Sequence, residues 1–312
     1  MKLRGKRLVA ISAAGLLLVS CAIFYVQYFM LRSIGSGPAG PPVDPAPFAR
    51  VWTDRPVRLI GIGDSVTAGL GADSPSHTYF NRLIANPDDE FPELQGLCLS
   101  KVLPNLEEDN FAISGSTSRD HLHVLEDRLE THASEEFGLV VMTSGGNDLI
   151  HSYGRAAPKE CAMYGATLAE AKPWIDAFRT RLEEMLVKIE ASFPGGCEIY
   201  LADIYDPTDG IGDAPSIYLP NWNDGLAIHA KYNEAIYEVA ASHPNVHIVP
   251  LYKTFLGHGA HSGQFWRATY VADDPHYWFY ENVEDPNDRG YDAIRRVFLN
   301  TIVENSELVR AD

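Results

Sequence analysis

Basic residues are scarce in this chain. Its 312 residues hold 25 Lys and Arg against 42 Asp and Glu, a net charge of −17 at pH 7. Five of the bases (Lys2, Arg4, Lys6, Arg7 and Arg32) fall in the first 32 residues, which carry no acid. The other 280 residues therefore hold 20 bases against 42 acids, a net −22. A body of that sign repels phosphate backbones, which excludes nucleic-acid binding through a basic surface. Cysteine is also sparse. Cys21 lies in an apolar run, and the rest of the chain has only Cys98, Cys161 and Cys197. An odd number permits at most one internal disulfide, and three buried thiols is the simpler expectation. No repeat or low-complexity stretch is present, and 46% hydrophobic residues with 21% charged is ordinary globular composition.

The one long apolar run is at the amino terminus. Leu8 to Leu31 is 24 residues without a charge, preceded by the basic cluster. As a helix at about 1.5 Å per residue it reaches about 36 Å, enough for a hydrocarbon core of about 30 Å. A cleaved signal peptide has a shorter apolar core, about 7–15 residues. Leu18-Val19-Ser20-Cys21 looks like a lipoprotein cleavage site, but apolar residues continue through Ile23, Phe24, Val26 and Phe29. The reading adopted is an uncleaved membrane anchor over 1–32, with lipoprotein and secreted forms as lesser alternatives. In all three the positive flank stays inside and the body lies on the periplasmic or extracellular face. Residues 33–52, with Pro38, Pro41, Pro42, Pro45 and Pro47, read as a semi-stiff linker. The folded domain is placed at 53–312.

Short apolar runs punctuate this domain at Val57 to Gly61, Gly138 to Met142, Cys197 to Asp203 and Asn245 to Pro250. Each ends in turn residues, as strands buried on both faces do. Between them lie helical stripes: Trp174 to Phe193, begun by Pro173, and Tyr291 to Val303. Alternating strands and helices predict an α/β domain with a mostly parallel sheet covered on both faces. Working residues in such sheets sit on loops at the carboxyl ends of strands.

Three of those loops carry chemistry. Gly61-Ile62-Gly63-Asp64-Ser65 puts a serine on a glycine-flanked turn between strand and helix, where its hydroxyl lies near helix N-terminal amides. Asp64 or Ser65 acting only as a helix cap is the plain alternative. Thr143-Ser144-Gly145-Gly146-Asn147-Asp148 offers an uncharged amide donor in Asn147, or an Asx-turn. Between them, Ser114-Gly115-Ser116 offers a bare N–H at Gly115.

Together these blocks resemble the SGNH/GDSL hydrolases, a serine esterase and lipase superfamily, over about residues 57–302. The resemblance implies a three-layer flavodoxin-like sandwich with a five-stranded sheet. It implies Ser65 as nucleophile, with the Ser65 amide, Gly115 and Asn147 as oxyanion hole. The fourth block departs from the pattern. Ahead of Pro286-Asn287 the family has an Asp and, three residues later, a His, but here those slots hold Asn282 and Asp285. Asp273-Asp274-Pro275-His276, nine residues upstream, restores the spacing. His276 is therefore the expected general base and Asp273 its partner, with Asp274 as a substitute for Asp273. The rivals are His258 with His261, or a body with no working base.

The resulting expectation is an extracytoplasmic serine esterase, acting on acetyl or acyl esters of glycans or lipids with no metal and no cofactor. An O-acyltransferase on the same residues and a non-catalytic binding module are the alternatives. Gly63-Asp64, Gly146-Asn147-Asp148 and Gly257-His258 superficially resemble metallophosphoesterase blocks, but no Asp-x-His precedes Gly63. Asp203, Asp206, Asp209 and Asp213 form an acidic loop without calcium-loop spacing and read as a solvated turn. The partners expected are an ester substrate and, through the first helix, a membrane. The sequence carries no mark of oligomeric state.

Overall fold

The structure, a computed structural model, describes residues 2–310, with side chains from residue 11 onward. The side chains of Lys2, Arg4, Lys6 and Arg7 lie outside the described residues. In chain order the elements that matter here are α1 (Lys2–Tyr25), β1 (Val57–Ile62), α2 (Ser65–Ala68), β2 (Leu106–Asn110), α3 (Ser118–Arg128), β3 (Phe137–Met142) and α4 (Gly146–Ile150). They continue with α5 (Leu168–Ser192), β4 (Cys197–Ala202), α6 (Gly225–Ala240), β5 (Val246–Val249) and α7 (Asp288–Asn305).

The five strands form one sheet in the order β2-β1-β3-β4-β5, and every neighbouring pair is parallel. Chain order turns back between β1 and β3, so the loops leaving those two strands part and open a crevice at their carboxyl ends. Strands β3 and β4 are buried along their whole length because both sheet faces are covered. The edge strand β2 is Leu-Glu-Glu-Asp-Asn and mostly exposed, so a search for apolar runs finds the other four strands and passes over it.

One face of the sheet is covered by α3, α5 and α6, through residues such as Leu125, Phe178, Leu186, Ile228 and Ile236. The other face is covered by α7, with Tyr291, Ile294, Phe298 and Ile302 against Leu59, Leu139 and Val141. Helix α5 starts five residues before Pro173. Thr167 and Glu170 form a capping box there, and Pro173 lies inside the helix. Helix α7 carries a buried ionic cluster in which Arg295, with no exposed surface, bonds both Glu90 and Asp292.

The proline-rich segment is not a solvated spacer. The Ala39 amide donates to Asp292 Oδ2 at 3.0 Å, and Arg289 Nη1 donates to the Ser36 and Gly37 carbonyls at 2.7 Å. Ala39, Val43, Phe48 and Trp52 are buried in the same core as α7. Prolines and glycines suit this stretch because it lies flat along a helix, where extended backbone packs and few N–H groups need partners. The folded unit therefore extends into residues expected to link it. All four cysteines are free, Cys98, Cys161 and Cys197 being buried.

Candidate active site

Strand β1 runs into Gly63, whose φ of +152° and position exclude a side chain, because a Cβ there would lie 2.2 Å from Thr143 Oγ1. The chain then turns sharply. Asp64 Oδ1 accepts the Val66 amide at 3.1 Å and the Thr143 hydroxyl at 3.0 Å, capping α2 and tying it to the end of β3. Capping and display are thus divided between neighbours: Asp64 is the cap, and Ser65 is the first helical residue, facing the crevice.

Beyond β3, Gly145 at φ +97° turns the chain into α4. Asn147 Nδ2 donates to the Ser116 carbonyl at 2.9 Å, and its remaining N–H is left for another acceptor. Asp148 is fully buried and accepts the Ser118 amide at 2.7 Å and its hydroxyl at 2.6 Å. Two successive residues of α4 therefore hold the loop after β2, which carries Gly115. Ser65, Gly115 and Asn147 line one cleft.

The fourth element is the loop before α7. Asn287 accepts the Arg289 and Gly290 amides, at 3.0 and 3.1 Å, to cap that helix. Its Nδ2 donates to the carbonyls of Tyr277 and Phe279, and Phe279 pairs with Pro286. This closes residues 280–285 into a loop whose end returns to the serine. Asp285 lines the cleft with Ser65, and Asn282 Nδ2 donates to Asp285 Oδ2 at 2.6 Å. Asp285, one of the two residues that depart from the expected pattern, thus lies beside the serine with Asn282 bonded to it.

His276 does not join this cleft. It lines a separate cavity with Asp274, Trp278 and Arg289, and its ring lies against Gly35. Its Nδ1 pairs with Asp274 Oδ1 at 2.6 Å, and that carboxylate also binds Arg289. Asp274, not Asp273, is its partner. The reason is loop closure: Tyr277 bonds the Ser33 carbonyl and Trp278 the His258 carbonyl, which directs residues 276–278 toward the proline-rich segment. The rival pair is elsewhere too. His258 stacks flat on Trp278 and is pushed down to about 4 by burial, and His261 Nε2 is held by Asp213 at 2.8 Å. His151, an exposed residue following α4, lines the cleft with Ser65; it carried no sequence signal.

The cleft is rich in acid. Burial raises Asp285 above the ordinary carboxylate range, against the opposing influence of the Ser65 and Asn282 side chains. Burial pushes Glu284 up to about 7, with Asp285 and Asp64 adding to it, while Tyr153 donates to Glu284 at 2.6 Å. Burial likewise pushes Asp64 up to about 6. In the acidic loop, Asp209 is committed to the amides of Gly257, Gly259 and His261, and Asp206 to Thr208 and Gly210. Among the described residues no group of three His, Cys, Asp or Glu is placed to hold a metal ion. A mainly apolar cavity of about 460 Å³ leads away from Ser65 between Leu149, Tyr205, Leu219 and Trp222.

The structure is similar to that of an extracellular lipase from Streptomyces rimosus (17% identity, 80% of this chain and all of that one, TM-score 0.53). It is also similar to a lipase from a goat rumen metagenome (17%, 81% and 99%, 0.50). An acetyl xylan esterase variant from Geobacillus stearothermophilus is a third such structure (18%, 80% and 97%, 0.50). At such identities the likeness is one of fold. A search of curated proteins gave no match. The model of the GDSL-like lipase/acylhydrolase family matches residues 62–293, which contain every loop described above. The chain belongs to that family of ester hydrolases.

Proposed function

We propose that the protein is a membrane-anchored esterase of the periplasmic or extracellular face that cleaves carboxylic esters through an acyl-enzyme on Ser65, with Asp285 as its base. The observation that carries this reading is that the buried Asp285 carboxyl, held by Asn282, lines the same cleft as Ser65. Ser65 Oγ would attack the acyl carbon as its proton passes to Asp285. The Ser65 and Gly115 amides and the free N–H of Asn147 would hold the oxyanion. Collapse expels the alcohol, which takes the proton back from Asp285, and water then releases the acyl group by the same path. Asn282 positions the carboxylate in the way an Asp positions an imidazole.

A carboxylate is a weaker base than an imidazole, and burial offsets part of that difference by making Asp285 hold a proton more readily. A fluorophosphonate probe and a chromogenic short-chain ester test the assignment on the full chain. Wild type is labelled and Ser65→Ala is not. Asp285→Asn lowers kcat by about 10²–10⁴, and Asn147→Ala lowers it by about 10²–10³. His276→Ala and His151→Ala keep kcat near wild type. A loss on His276→Ala or His151→Ala as deep as that of Ser65→Ala moves the base to that ring and removes it from Asp285.

A further inference from the structure

The segment just beyond α1 is gripped by the body. Gln264 Nε2 donates to the Tyr28 carbonyl at 3.0 Å, and the Tyr277 amide donates to the Ser33 carbonyl. The Arg32 guanidinium lies between the rings of Tyr218 and Tyr277, 5.6 and 5.3 Å from their centroids, and donates to the Ser216 carbonyl. Above this grip a body loop leans back along the helix. Trp266 stacks on Phe24 at 5.5 Å and meets Tyr28 at 5.2 Å, while Phe265 meets Tyr28 at 5.8 Å.

Ile11–Met30 is long and apolar enough to cross a membrane, with mean hydropathy 1.8 and none of its residues buried. Phe24 precedes Met30 by six residues, or about 9 Å of helix. A ring stacked on Phe24 therefore lies about that far inside the level where the span ends, the depth at which interfacial aromatics are buried in lipid. Phe265 and Trp266 are nevertheless 59% and 41% exposed. Tyr218, held under Arg32, is 73% exposed and belongs with Ile217 and Leu219 to the wall of the apolar cavity beside Ser65.

We propose that Phe265 and Trp266 insert into the bilayer spanned by α1 and seat the cavity mouth on the lipid surface, so that the esters cleaved are acyl lipids drawn from that bilayer. The inference rests on the membrane-anchored esterase reading above. Insertion is apolar: a body of net −22 gains nothing from anionic headgroups, so a zwitterionic surface suffices.

The test uses the full chain reconstituted in phosphatidylcholine vesicles. Bromine-labelled phosphatidylcholine quenches part of the tryptophan emission of wild type, and that part disappears in Trp266→Phe. The double variant Phe265→Ser/Trp266→Ser hydrolyses a long-chain ester embedded in the vesicles about tenfold more slowly, and a soluble short-chain ester at the wild-type rate. Undiminished quenching in Trp266→Phe, or an unchanged rate on the embedded ester in the double variant, overturns the proposal. Release of wild type from vesicles by alkaline carbonate overturns the anchor and the proposal with it. If wild type cleaves neither ester, the esterase reading falls and the lipid-substrate part with it, while the quenching still decides insertion.

Discussion

Around Ser65 three carboxyls, Asp64, Glu284 and Asp285, crowd into one cleft, and this sets how the site responds to pH. Glu284 sits at about 7 in the folded protein against an ordinary 4.5, and burial is the main cause. The folded form therefore holds that proton more tightly than the unfolded chain. Below about 4.5 both forms are protonated and the stabilisation is full; it is lost as pH climbs toward 7 and is gone above. Glu284→Gln removes the titrating proton but keeps an oxygen for the Tyr153 hydroxyl. Its melting temperature should exceed that of wild type at pH 8 and match it near pH 4, as read by thermal unfolding at the two pH values. Equal shifts at both would mean that packing, not ionisation, is responsible.

At the scale of elements, the loop before α7 is the decisive piece, and Asn287 is its clasp. One side chain caps the helix through two amides and pins the loop through two carbonyls. Loss of such a cap costs about 0.5–2 kcal/mol. Asn287→Ala should also free residues 280–285, so kcat on a soluble ester falls while denaturant unfolding shows only that modest loss. The variant Asn287→Asp keeps the cap but not the Nδ2 donor, and should recover stability without recovering rate.

These same elements explain what could be read from the chain unaided. The turns after β1, β2 and β3 are legible because each chemistry-bearing residue is contiguous with a strand end: Ser65 after Gly63, Asn147 after Gly145. The parallel character of the sheet and the long stripes of α5 and α7 follow from apolar spacing in the same way. The residue facing Ser65 is not of this kind. Asn282 and Asp285 hold the family's slots, but the missing imidazole drew the reading upstream to His276, where the spacing was right. What holds His276 away from Ser65 is a closure made by the Phe279–Pro286 pairing and the long-range bond of Tyr277 to Ser33, which no local pattern encodes. Strand β2 escaped for a simpler reason, since an edge strand of acids has no apolar signature.

For the molecule as a whole, cohesion comes from the two packed faces of the sheet and not from covalent cross-links. Cys98, Cys161 and Cys197 are separate, buried thiols. Dithiothreitol should leave the melting temperature unchanged, and a thiol-specific reagent should modify these three only as fast as the protein opens. A reductant-dependent drop would reveal a cross-link.

The proline-rich segment gives this architecture its last property. A free coil of its 20 residues would let the domain roam roughly 25 Å from its anchor. Strapped along α7 by Ala39, Arg289 and the Pro42 carbonyl, it leaves no slack. With α1 as the proposed anchor, the enzyme would have the freedom of a disc sliding on a floor: it would rotate and drift in two dimensions but not lift, so encounters with a lipid substrate would be set by surface density and not by concentration in bulk water.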